Sequence, residues 1–366
     1  MNKDIKILIQ GGFGSHNWGD DLQLYNNVRI LKEKGFNNIK IISRNNYISN
    51  LCNCPTIPSC HTFYNNLGEE QVKNIGTNIP MDNFTGLKKE IENSDVLFFS
   101  GSGTLNTRSW TSLYIHLTPV IIASKLNKTI ILSGQGFTPM KADRMGEFIN
   151  FGLSKVNKIF TRDFYYGKEA LKTIGIDLSK VVSGIDDAFT SIPNKVTLPK
   201  KSIGINISCF IKPHLINEFY NLAILLKDKG YNPIFNYFQS EHELIHQVTK
   251  HKFPIYTFTS PEDLVGFHYA CDGYVGMRYH SAILCLAGKT PVVNITGNDY
   301  QSNKIKAIIK QTKLSNFNLN FEEVTAQKMY DTLIQAMETQ PNKLKQINKK
   351  WRLRGNLAIN YLMEIK

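Results

Sequence analysis

The stretch DGYVGMRYHSAILCLAGKTPVVNI sets Arg278 and His280 two residues apart, directly after a short apolar run that ends at Gly276. A guanidinium can grip a carboxylate or phosphate with two parallel hydrogen bonds. An imidazole beside it can pass a proton or donate a hydrogen bond to a phosphate oxygen. Arg162, followed at once by Asp163, ends another apolar run, KIFT. It offers a second cation for an anion or, more plainly, a local ion pair. The stretch GGFGSHNWGDD carries four glycines, Asn17, and two carboxylates, Asp20 and Asp21, ahead of an apolar helical pattern. Either carboxylate could cap that helix or take a proton from a hydroxyl. The spacing is not G-x-G-x-x-G, and paired carboxylates would repel a pyrophosphate, so a dinucleotide loop is a poor fit.

Two further Gly-rich segments, SGSGT around Gly101, Ser102 and Gly103 and GQGFTP around Gln135, follow the apolar runs DVLFF and TIILS. They present backbone N–H groups to a ligand at strand ends. With Gly14 and Gly19 of the first loop, they form the expected floor of a ligand cleft.

What must position these residues is a set of parallel strands. Short apolar runs alternate with helical patterns along the whole chain, the signature of strands joined by crossover helices. Five polar clusters fall at five expected strand ends, where ligands bind in open α/β sheets. The chain has 366 residues, which suits two domains. The expected architecture is α/β, with two doubly wound Rossmann-like domains facing a cleft. The first covers 1–190, a Pro-bearing linker 191–201, the second 202–342, and a basic helical segment 343–366 crosses back toward the first. Residues 50–80 read as irregular.

Composition narrows the partners. A hydrophobic fraction of 42% supports two packed cores and excludes disorder. The net charge of +13 favours anionic ligands. The basic residues are dispersed without interleaved aromatics, so nucleic acid is not expected. No apolar run approaches the roughly 20 residues of a membrane span. A charged opening and few cysteines read as cytoplasmic, with peripheral contact to an anionic membrane through the basic tail as an option. CNCPTIPSCH gathers Cys52, Cys54, Cys60 and His61, but the spacing lacks the two-plus-two arrangement of zinc sites. No metal is expected.

Taken in order, GFGSHNWGDD, FFSGSGT, ILSGQGFTP, FTRDFYYGKEALKTIGI, VVSGIDDAF and GMRYHSAILCLAGKTPVVNI resemble the polysaccharide pyruvyl transferase family. Its usual motifs are G-N-x-G-D-[DE], G-G-G-T, G-Q-G-x-x-P, R-D-x-x-S, G-D-P-A-F and G-M-R-x-H. In this chain SGSGT replaces the triple glycine and Asp187 stands at the proline position of G-D-P-A-F. The late Y-D-x-K pattern appears as DYQSNK, 299–304, ending at Lys304. The resemblance implies a GT-B-like two-domain fold and transfer of pyruvate from phosphoenolpyruvate to sugar hydroxyls as a cyclic ketal. It implies Arg162, Arg278, His280 and Lys304 as the phosphoenolpyruvate grip, with His280 as acid and Asp20 or Asp21 as base. No cofactor is required, and the acceptor is a sugar or lipid-linked glycan. The alternatives are a GT-B glycosyltransferase using a nucleotide sugar and a non-catalytic anion- or glycan-binding protein. Oligomeric state is not legible.

Overall fold

A computed structural model describes residues 4–209, 211–297 and 300–365, so Asp299 of the DYQSNK stretch lies outside the described residues. The chain divides into two compact units, residues 1–187 with 354–366, and residues 188–353.

The first unit holds a seven-stranded, all-parallel sheet. Its strands are β1 (Ile7–Gln10), β2 (Ile39–Ser43), β3 (Thr56–Pro58), β4 (Val96–Phe99), β5 (Thr129–Gln135), β6 (Lys158–Thr161) and β7 (Val181–Ser183). They lie in the order β3-β2-β1-β4-β5-β6-β7. The order runs outward in one direction from β1 and in the other from β4, so a switch point falls between those two strands. An all-parallel sheet has to be covered on both faces. Alternate residues do this: Leu8, Leu97 and Leu132 enter one core, while Ile7, Ile9, Phe98 and Ile131 enter the other. The first face is covered by helix Trp110–Lys125, apolar around almost its whole circumference and correspondingly buried. Helix Leu357–Ile365 helps cover the second through Ala358, Ile359 and Leu362.

The second unit repeats the plan with six parallel strands: β8 (Ser202–Asn206), β9 (Asn232–Asn236), β10 (Ile255–Tyr256), β11 (Gly273–Gly276), β12 (Val292–Thr296) and β13 (Asn318–Asn320). Their order is β10-β9-β8-β11-β12-β13, with the switch point between β8 and β11.

Three details differ from the sequence reading. Residues 50–80 contain β3 and the helices His61–Leu67 and Glu69–Lys73. The segment 191–201 lies against helix Pro261–Ala270: Asn194 N–H donates to Glu262 O at 2.9 Å. Its carbonyl comes so near Gly266 that a Cβ there would sit 2.3 Å from it. The segment 343–366 is divided. Helix Pro341–Arg352 belongs to the second unit and helix Leu357–Ile365 to the first, with Asn356 between them at a left-handed φ of 61°. No helix among the described residues is long and apolar enough to cross a membrane.

Candidate functional site

At the carboxyl edge of the first sheet, the loop after β1 leads into helix Trp18–Glu33. Asn17 caps this helix by accepting from Gly19 N–H at 3.1 Å, and its amide donates to Asp20 Oδ2 at 2.8 Å. Asp21 turns inward and is 3% exposed. Its Oδ1 accepts from Gly14 N–H at 2.9 Å and its Oδ2 from the Tyr47 hydroxyl at 2.7 Å. Burial raises its pKa, opposed by those two hydrogen bonds. Gly14 has φ +85°, and a Cβ there would meet Ser43 Oγ at 2.9 Å, so the loop needs glycine at this point. Adjacent helical residues point about 100° apart. Asp21 therefore ties the loop down, while Asp20 stays partly exposed.

The next two loops are built on Gln135, which is completely buried. Its amide donates to Ser100 O at 2.7 Å and Ser133 O at 2.9 Å, and its Oε1 accepts from Ser102 Oγ at 2.9 Å. Gly103 O accepts from Asn106 at 2.7 Å. Arg162 leaves β6 with its N–H bonded to Gln135 O at 2.9 Å. Its guanidinium lies over Gly136, where any Cβ would come within 2.3 Å of Nε. Asp163 accepts from Gly167 N–H at 2.8 Å, so this carboxylate starts helix Tyr166–Thr173.

Asp187 binds these loops together. Its Oδ2 accepts from Asn27 at 2.7 Å and from Gly101 N–H at 3.0 Å, and its Oδ1 accepts from Ser133 Oγ at 2.8 Å. Gly134, at φ +53°, leaves room for the carboxylate, which would stand 2.7 Å from a Cβ. Burial pushes the pKa of Asp187 up to about 7; the Asn27 hydrogen bond lowers it and neighbouring Asp186 adds to the rise.

At the carboxyl edge of the second sheet, Arg278 is the N-cap of helix Tyr279–Gly288, and His280 lies in its first turn, 8% exposed. The backbone N–H groups of a helix start and a guanidinium both favour an anion. Asn206, at the end of β8, holds the turn. Its Oδ1 accepts from Met277 N–H at 2.9 Å and Arg278 N–H at 3.3 Å, and its amide donates to Ser281 Oγ at 2.7 Å. Gly276 makes this possible, since a Cβ would sit 2.6 Å from Asn206 Oδ1. The Arg278 guanidinium forms an ion pair with Glu241, whose side chain is wholly buried. Glu241 Oε2 also accepts from Gln239 N–H at 3.0 Å. The loops after β8, β9 and β11 thus converge on one arginine. Lys304 lies on helix Tyr300–Thr312, which follows the neighbouring strand β12.

The cysteines of CNCPTIPSCH part company. Cys52 and Cys54 enter one core of the first unit and Cys60 the other. Among the described residues no group of three or more His, Cys, Asp or Glu side chains is placed to hold a metal ion.

The model of one protein family, described as polysaccharide pyruvyl transferase, matches residues 17–299. The chain belongs to that family. As in the reading from motifs, the match takes in the G-D-D, Gly-rich, R-D and G-M-R-x-H stretches of this pyruvyl transferase family member. No curated protein sequence matches it. Solved structures share its fold at low identity. The spinosyn forosaminyltransferase SpnP has a TM-score of 0.61 at 9% identity, covering 99% of this chain and 98% of its own. The calicheamicin glycosyltransferase CalG4 gives 0.60 at 8%, covering 97% and 96%. The S. aureus MnaA–UDP structure gives 0.61 at 10%, covering 96% and 92%. The fold is the GT-B type of such glycosyltransferases, with two Rossmann-like domains.

Three residues of this family member escaped the sequence reading. Glu241 was hidden in FQSEHE, an acid just past a strand; Asn206 ends an ordinary apolar strand; Asp187 stood out only as a departure from the family motif, not as a tie between loops. A polar residue at the carboxyl end of a buried strand was the available signal for the first two.

Proposed function

We propose that this family member transfers pyruvate from phosphoenolpyruvate to two hydroxyls of a sugar in a glycan or its precursor, closing a cyclic ketal and releasing phosphate. The observation that carries the reading is Arg278, fixed at a helix start by Asn206 and Glu241 beside His280. Phosphoenolpyruvate presents a carboxylate and a phosphate, the groups a guanidinium and a helix N-terminus favour.

The chemistry needs no redox partner. A proton added at C3 turns the methylene into a methyl and leaves C2 electron-poor. One acceptor hydroxyl adds to C2 and yields its proton to a base. A second hydroxyl then forms its bond to C2 as the C2–O bond to phosphate breaks, and its proton leaves with the phosphate. His280 supplies the C3 proton or a hydrogen bond to the departing phosphate. Arg278 neutralises the growing charge, and Arg162 and Lys304 add positive field. Asp20, the carboxylate less committed to loop structure, is the base to test first. No metal or nucleotide enters this scheme, and with this donor the reaction belongs in the cytoplasm.

The protein, incubated with phosphoenolpyruvate and a panel of glycans, should release inorganic phosphate only with a competent acceptor. Release of a nucleotide from nucleotide sugars, with none from phosphoenolpyruvate, would replace this reading by a glycosyltransferase. Glycan binding without release from either donor would make it a binding protein.

A further inference from the structure

Away from the residues assigned above, the first unit brings an arginine and two histidines from different elements to its carboxyl edge. His116 lies on helix Trp110–Lys125, where its carbonyl accepts from the Gln10 amide at 3.2 Å and its ring stands 6.1 Å from that of Phe99. Gln10 is the last residue of β1 and Phe99 the last of β4. His116 is thus placed at the switch point of this sheet, where open α/β folds take their ligands. His61 comes in after β3 and meets the His116 ring edge-on, with centroids 5.8 Å apart and planes at 84°. Ser59 Oγ lies 2.8 Å from His61 Nδ1; with the hydroxyl as donor, the imidazole proton sits on Nε2.

Arg44 follows β2. It is exposed, and its Nε is spent on Gly14 O at 2.8 Å, so the guanidinium is fixed to the Gly-rich loop. Ser43 pairs with Pro58 across β2 and β3, so Arg44 leaves its strand beside Ser59, at the start of the His61 loop. Burial first, then Arg44, lowers the pKa of His61 to about 4; burial, then His61 and Arg44, lowers that of His116 to about 3. Asp21 lies in the field of Arg44 too, with its oxygens taken by Gly14 and Tyr47. A guanidinium beside two mostly buried imidazoles suits an oxyanion, which can accept from the guanidinium NH2 groups and from an imidazole N–H.

We propose that Arg44, His61 and His116 form an oxyanion subsite in the first unit, which takes a phosphate or carboxylate group carried by the acceptor. The inference deepens the pyruvyl transfer reading and rests on the first unit being the acceptor side. It also accounts for the His61 end of CNCPTIPSCH: the three cysteines fill cores and the histidine alone reaches the strand ends. A neutral sugar would have no use for such a subsite. The acceptor is then a sugar phosphate or diphosphate, or a glycan bearing a uronic acid.

The test uses the full chain carrying Arg278→Ala, which removes the proposed donor grip as a competing anion site, with its histidine imidazoles followed by NMR. Inorganic phosphate should shift the His61 and His116 resonances saturably and raise the apparent pKa of His61. Adding Arg44→Gln should weaken that binding by about tenfold or more. His61→Gln serves as a second variant should Arg44→Gln disturb the loop, and should weaken it likewise. A hexose 1-phosphate binding more tightly than a methyl hexuronide points to a phosphorylated acceptor, and the reverse order to a uronate. The proposal is overturned if no anion shifts these resonances, if both variants bind as the parent does, or if a neutral methyl hexoside shifts them equally. Failure here leaves phosphoenolpyruvate binding at Arg278 untouched, since that is measured separately on the wild type.

Discussion

Glu241 reaches from the loop after β9 to close an ion pair on Arg278, and its own side chain is entirely shielded from solvent. The two residues are 37 apart in sequence, (278 − 241), and meet because β9, β8 and β11 are neighbours. Glu241→Ala should destabilise the protein by about 3–5 kcal/mol, because it strands a largely buried guanidinium. The double variant Glu241→Gln/Arg278→Met should lose less than the sum of the two single variants in urea unfolding. Strict additivity would show that the pair is not coupled.

Asp187 predicts a pH effect. Its pKa is raised in the folded protein to about 7 from an ordinary carboxylate value, so between about pH 4 and pH 7 the native state holds a proton that the unfolded chain has released. Its contribution therefore favours folding at low pH and is lost as pH rises through that window. Asp187→Asn cannot titrate, and its amide would face the donors Asn27 and Gly101. It should be less stable overall by about 1–3 kcal/mol. The gap between wild type and variant should narrow from pH 4.5 to pH 8; a constant gap would contradict the assignment.

The neighbouring carboxylates Asp20 and Asp21 should separate cleanly. Asp21→Ala removes the acceptor for Gly14 N–H and Tyr47 and should cost about 1–3 kcal/mol in thermal or urea unfolding. Asp20→Asn should leave stability nearly unchanged and phosphoenolpyruvate affinity intact while lowering the rate of phosphate release. Normal turnover in Asp20→Asn would leave Asp20 as part of the helix cap alone.

His116 should weaken the fold in acid. Its pKa is lowered to about 3, so below about pH 6.5 the unfolded chain takes up a proton that the native state refuses. Stability is then lost as pH falls toward 3, by up to about 1.4 kcal/mol per pH unit for this group. His116→Gln should flatten that part of the stability profile, measured by urea unfolding at successive pH values. An unchanged slope would show that His116 titrates normally.

Much of this was legible from residue patterns, for a physical reason. Parallel strands are buried on both faces and read as apolar runs, so their polar ends stand out. That is how Arg162, Arg278, Gln135 and the Gly-rich loops were found. The strand order was not legible, because pairing is set by packing between distant segments; β3 (TIP) and β13 (NLN) carry no apolar run to mark them as strands. The division of labour between Asp20 and Asp21 depends on which way one helical turn faces. Glu241 and Asn206 matter only through partners dozens of residues away. The role of Asp187 was not legible because its three donors come from Asn27, Gly101 and Ser133, on separate elements.

The central claim is that Arg278 grips phosphoenolpyruvate, and calorimetric titration of phosphoenolpyruvate into wild type and Arg278→Ala tests it most directly. Thermal unfolding of both proteins alongside confirms that each is folded. The wild type should bind one phosphoenolpyruvate per chain, and Arg278→Ala should bind it at least about tenfold more weakly, since a charge-assisted contact is lost. Equal affinity in a folded Arg278→Ala protein, or no binding to the wild type while a nucleotide sugar binds, would contradict the account.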